Sequence, residues 1–110
     1  MSEICRKQRR APLNVYLNKV IGESVFMCRA KDISEQGIYL SRLLEPDADG
    51  VTVHLEFALP GHDEVVWACG KVVREGTHRR CVGSGIRFTV LPPKFRDMIA
   101  QYVRTQTPLN

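Results

Sequence analysis

Residues 51–59 read Val-Thr-Val-His-Leu-Glu-Phe-Ala-Leu, with Val51, Val53, Leu55, Phe57 and Leu59 at every second position. A two-residue period sends alternate side chains to opposite faces of an extended chain. This segment therefore reads as a strand with one buried face and one wet face. Such a strand is not stable alone: it needs paired neighbours and a layer over its apolar side. The rest of the chain supplies them. Leu13, Val15 and Leu17 alternate with Asn14, Tyr16 and Asn18. Ile21-Gly22-Glu23 then turns into Ser24–Lys31, and Asp32–Gly37 is a polar turn into Ile38–Ser41. Pro46-Asp47-Ala48-Asp49-Gly50 and Pro60-Gly61-His62-Asp63 are loops of turn-forming residues. Val65–Val73 and Val82–Val90 are two more β-rich runs, separated by the polar Arg74–Arg80 loop. About six short strands at regular spacing suggest an antiparallel barrel or sandwich.

The last element has a different period. Phe95, Met98, Ile99, Tyr102 and Val103 fall at i, i+3, i+4, i+7 and i+8, one face of a helix introduced by Pro92-Pro93. That stripe is expected to bury itself across a face or mouth of the sheet. A chain of 110 residues fits one domain of this kind. The expected organisation is an N-terminal arm over 1–12, a barrel with its helix over 13–104, and a tail over 105–110.

Charge is unevenly placed. Sixteen Lys and Arg against twelve Asp and Glu leave +4, and four of the positive charges lie in Arg6-Lys7-Gln8-Arg9-Arg10. This favours an anionic partner, although a solvated basic tail or a nonspecific nucleic-acid arm has the same composition. Cys5, Cys28, Cys69 and Cys81 form no CxxC pair, and His54, His62 and His78 show no paired ligand spacing, so no metal is expected. Glu56, Asp63 and Glu64 show no pairing that suggests acid–base catalysis, and no nucleophile–base set is visible. No apolar run approaches a membrane span, and no apolar export signal follows the N-terminal charges. A cytoplasmic protein with reduced thiols is expected, with Cys28 and Cys69 packed as small hydrophobes.

Two motifs carry chemistry. In Arg6-x-x-x-Arg10, each guanidinium is a planar fork of donors that matches a phosphate or the O6/N7 edge of guanine. A helical turn of the arm brings the two together, whereas an extended one separates them by about 13–14 Å. In Asp32-Ile33-Ser34-Glu35-Gln36-Gly37, Asp and Ser can simply cap a hairpin turn, with glycine supplying positive φ at its end. Alternatively, an ionised Asp32 accepts hydrogen bonds from the donor-rich Watson–Crick edge of guanine, and Gly37 lets backbone approach a ligand closely.

These two motifs, with Gly85-Ile86-Arg87-Phe88 on the last strand, make the chain resemble the PilZ family of cyclic di-GMP receptors from about Cys5 to about Val103. The resemblance implies a six-stranded antiparallel β-barrel with one C-terminal helix. It implies that Arg6 and Arg10 wrap phosphates and guanine, that Asp32 and Ser34 contact guanine, and that Gly37 shapes the turn. It also implies a ligand that is often an intercalated dimer. Arg9, Lys7, Cys5, Gly85 and Arg87 are secondary contact candidates, Cys5 standing where family members often carry another arginine. The expected mechanism is noncatalytic: the ligand orders the arginine arm on the barrel, and the new surface signals to a partner protein in motility, biofilm formation or another output. Two rival readings are a nucleic-acid-binding small barrel, which would want a row of exposed aromatics that is missing here, and a ligand-independent interaction adaptor. Trp67 is read as a sheet aromatic, His54 as solvated, and Gly83 and Gly85 as bulge glycines.

Overall fold

The computed structural model describes residues 9–41, 49–73 and 83–106. Six strands close into an antiparallel barrel: β1 (Ala11–Ile21), β2 (Ser24–Ile33), β3 (Gly37–Ser41), β4 (Thr52–Ala58), β5 (Val65–Val73) and β6 (Gly83–Val90). Their order around the wall is β1-β2-β3-β6-β5-β4, so β1 meets β4 and no sheet edge is left. One helix, α1 (Pro93–Gln106), follows β6.

The alternation in the sequence becomes the inside and outside of the barrel. Val53, Leu55 and Phe57 of β4 face inward with Val66, Ala68 and Val72 of β5. Leu13 and Leu17 of β1, Cys28 and Ala30 of β2, Ile38 and Leu40 of β3 and Ile86 of β6 complete the inner layer. The strict period carries one charge inward as well. Lys19 takes the slot after Leu17, is buried, and holds its ammonium 5.5 Å from the Phe26 ring centroid.

Three bulges set the registers. Pro12 pairs with Asp32 and Val15 with Ala30, so Leu13 and Asn14 oppose Lys31 alone. Asn14 takes the left-handed conformation that this requires, at φ 55°, and its Oδ1 accepts from Arg29 Nε at 2.8 Å and Nη2 at 2.5 Å. Lys31 is the extra residue of β2 against β3, and Thr89 that of β6 against β5. Gly83 and Gly85 are therefore not at bulges. Gly83 is needed for close approach instead: a Cβ there would lie 2.3 Å from the Leu40 carbonyl oxygen and 2.7 Å from the Tyr39 hydroxyl.

The helix buries Phe95, Ile99, Tyr102 and Val103, while Met98 is only partly covered. Phe95 meets Trp67 edge-on at 6.4 Å between centroids, which keeps Trp67 a half-exposed wall aromatic. The Tyr102 hydroxyl donates to the Pro12 carbonyl at 2.6 Å, tying the helix to the start of β1. Burial pushes the Tyr102 phenol above its usual pKa of 10.0. β1 begins at Ala11 and the helix ends at Gln106. Among the described residues, no helix is long and apolar enough to cross a membrane.

Candidate functional site

The β2–β3 turn is built around one hydroxyl. Ser34 is fully buried, and its Oγ accepts the backbone N–H of Gln36 at 3.1 Å and of Gly37 at 3.2 Å. Its own N–H donates to the Gly37 carbonyl at 2.8 Å. A serine that bonds donors two and three residues on replaces the backbone turn with a tighter side-chain one.

Of the two readings of Gly37, positive φ at the turn's end does not hold. The positive-φ glycines described are Gly22, Gly50 and Gly61, and Gly37 is not among them. Its role is approach: a Cβ at Gly37 would lie 2.3 Å from the Ile86 carbonyl oxygen across the β3–β6 ladder. Beside it, the Phe88 N–H donates to the Gln36 carbonyl at 2.9 Å. The turn is thus held against β6 by a contact that no other residue permits.

The register of β1 delivers Arg10 to this turn. Ala11 pairs with Ile33 and Pro12 with Asp32, which places Arg10 beside Ser34. The Arg10 Nε donates to Asp32 Oδ1 at 2.7 Å, and Nη1 donates to Ser34 Oγ at 3.3 Å. Both partners of the ion pair are about one-third exposed, at 37% and 29%. A pair this wet is worth less than about 1 kcal/mol. The structure therefore brings Arg10, Asp32, Ser34 and Gly37 together. Cys5, Arg6 and Lys7 lie outside the described residues, and Arg9 is exposed.

Arg87 and Gly85 stand on the same outer wall. Asp32 pairs with Tyr39 and Tyr39 with Gly85, while Gly37 pairs with Arg87. Arg87 therefore flanks the turn on the β6 side, as Arg10 does on the β1 side. Sequence reasoning missed Tyr39, which pairs with Asp32 on β2 and Gly85 on β6 and whose partly buried ring lies over Gly83. An aromatic two residues after Gly37, in an outward slot, was the available signal. It also missed Lys71, which pairs with Arg87 across β5–β6. Only the register shows that neighbour.

Elsewhere, Cys28 is buried as expected, but Cys69 is only half-buried, because it occupies an outward slot opposite His54. Its sulfur lies 3.4 Å from the exposed His54 Nδ1. Among the described residues, no three potential ligands gather to hold a metal ion.

The model of the PilZ domain matches residues 5–105. No curated protein matches the chain in sequence. Among solved structures, the Bacillus subtilis inhibitor of motility (MotI/DgrA) superposes with a TM-score of 0.75 at 14% identity, over 91% of this chain and 50% of that one. The Borreliella burgdorferi PlzA protein in complex with c-di-GMP superposes with a TM-score of 0.60 at 15% identity, over 92% of this chain and 43% of that one. The chain thus spans half or less of each of these proteins. At such identities the likeness concerns the fold.

Proposed function

This chain belongs to the PilZ domain family, and from that premise we propose that it is a noncatalytic receptor for cyclic di-GMP. One observation carries the proposal: a guanidinium, a carboxylate and a rigid serine turn converge at Arg10, Asp32 and Ser34 on the barrel's outer wall. PlzA, a structural neighbour, is known in complex with c-di-GMP, which supports the choice of ligand.

The geometry suggests how binding proceeds. Asp32 is the acceptor that a guanine Watson–Crick edge would use, and Arg10 already donates to it. Guanine N–H groups displace the Arg10 Nε from Asp32 at small cost, because that pair is weak. The released fork then takes a phosphate oxygen or the O6/N7 edge, where charge-assisted bonds are stronger. Ser34 and Gly37 stay in place, since the Ser34 hydroxyl and the turn's own backbone bonds close the turn without Arg10. Arg6 joins from the arm, and the assembled arm and nucleotide present a new surface to a partner protein. The ligand drives this only to the extent that it prefers the assembled form. One structural neighbour is named an inhibitor of motility, which makes motility control the first output to examine.

Calorimetric titration with cyclic di-GMP, and with cyclic di-AMP as control, tests the reading. Saturable heat with the guanine ligand alone is expected. No heat at high micromolar cyclic di-GMP would defeat it.

A further inference from the structure

Two cations are register partners on the wall beside the turn, with no carboxylate paired to either among the described residues. They are Lys71 of β5 and Arg87 of β6, and both are exposed. Like charges directly opposite on a sheet destabilise it. An anion lying between them removes that repulsion, so the pair is a natural anion seat.

Its place gives it a ligand. Arg87 is also the register partner of Gly37, so the outer wall carries the row Thr52, Lys71, Arg87, Gly37. Gly37 has no side chain to stand between Arg87 and the turn. Asp32 lies one row along and two strands over, through Tyr39. With strand spacing near 4.8 Å and a rise near 3.3 Å per residue, Arg87 and Asp32 are about 12 Å apart at their Cα atoms. Both side chains point outward, and an arginine reaches halfway across that gap.

We infer that Lys71 and Arg87 form a second anion subsite that takes a phosphate of the cyclic dinucleotide on the β6 side of the turn, opposite the Arg10 arm. This rests on the cyclic di-GMP reading, and it adds what that reading lacks: a wall-borne cationic clamp whose position does not depend on the arm. The ligand is bracketed, with Arg10 reaching from β1 and Arg87 and Lys71 from β6 and β5.

The experiment compares the full chain with Lys71→Gln, Arg87→Gln and the double variant, by calorimetry with cyclic di-GMP and by thermal melting without it. The inference expects at least tenfold weaker binding in the double variant, with a melting temperature unchanged or raised because the repulsion is gone. Binding within twofold of the parent in all three variants would overturn it. If the double variant melts lower, Lys71→Arg and Arg87→Lys decide: retained affinity supports a charge requirement, and affinity lost as in the glutamine variants refutes it. If the parent itself does not bind cyclic di-GMP, the proposed function fails separately. Titration with inorganic pyrophosphate, followed by NMR at Lys71 and Arg87, then judges the subsite. Saturable shifts at both residues sustain an anion seat, and their absence overturns it.

Discussion

Replacing Gly37 by alanine should destabilise the barrel through one atom. The added Cβ would sit 2.3 Å from the Ile86 carbonyl oxygen, against a practical minimum of 3.0 Å. The difference, 0.7 Å, is the least that β3 must retreat from β6 at this point. The neighbouring Phe88 N–H to Gln36 carbonyl bond, now 2.9 Å, would then lengthen beyond about 3.5 Å, where it is no longer made. Overpacking of this sort costs about 1–3 kcal/mol, and one lost hydrogen bond about 1 kcal/mol. The sum, about 2–4 kcal/mol, is a large share of the roughly 5–15 kcal/mol available to a domain of this size. It should lower the melting temperature by about 10 °C or more. Gly22→Ala is the control. Gly22 has φ +61° and nothing within 4 Å, so alanine there meets only backbone strain, about 1 kcal/mol. Differential scanning calorimetry ranks the two, and amide hydrogen exchange at Phe88 locates the damage. If Gly37→Ala costs no more than Gly22→Ala and Phe88 stays protected, the close-approach account of Gly37 is wrong.

Other consequences follow from the same geometry. Ser34→Ala leaves the Gln36 and Gly37 N–H groups without their acceptor and should cost about 1–3 kcal/mol in urea unfolding. Arg10→Ala should weaken cyclic di-GMP binding about tenfold or more in calorimetry, since bonds to a charged partner contribute about 1.5–3 kcal/mol. Lys7→Ala should change it less, and equal losses would indicate a nonspecific basic arm. The Tyr102 phenol is raised above 10.0 by burial, so the folded state holds its proton longer than the unfolded chain. Its contribution is full below pH 10 and is lost as pH rises through the raised value. Tyr102→Phe should therefore lower stability by about 1 kcal/mol at neutral pH and flatten its alkaline decline.

Much of this molecule was legible because a period of two has few structural solutions. The run from Val51 to Leu59 became β4 with Val53, Leu55 and Phe57 inside, and Phe95, Ile99, Tyr102 and Val103 became the buried face of α1. Barrel and sandwich could not be told apart from that pattern, because closure depends on β1 finding β4. The site was legible as motifs but not as contacts. Arg10 reaches Asp32 only because a bulge at Leu13 and Asn14 sets the β1–β2 register, and a single left-handed asparagine leaves no clear mark in a sequence. For Gly37 the sequence offered both a positive-φ turn and close approach to a ligand, and the structure shows close approach to β6; turn glycines and close-approach glycines look alike until the neighbouring strand is in place. Lys19 was not anticipated in the core because its charge masks its place in the alternation. Lys71 and Arg87, sixteen residues apart in the chain, became neighbours only through strand pairing.

The most direct test is an NMR titration of the full chain with cyclic di-GMP, following backbone amides and the arginine Nε–H groups together. The account predicts saturable shifts confined to Arg6–Arg10, Asp32–Gly37 and the adjoining wall at Arg87, with the Arg10 Nε–H signal changing as it leaves Asp32. Saturation with shifts on another face of the barrel, leaving Arg10 and Asp32 undisturbed, would contradict it.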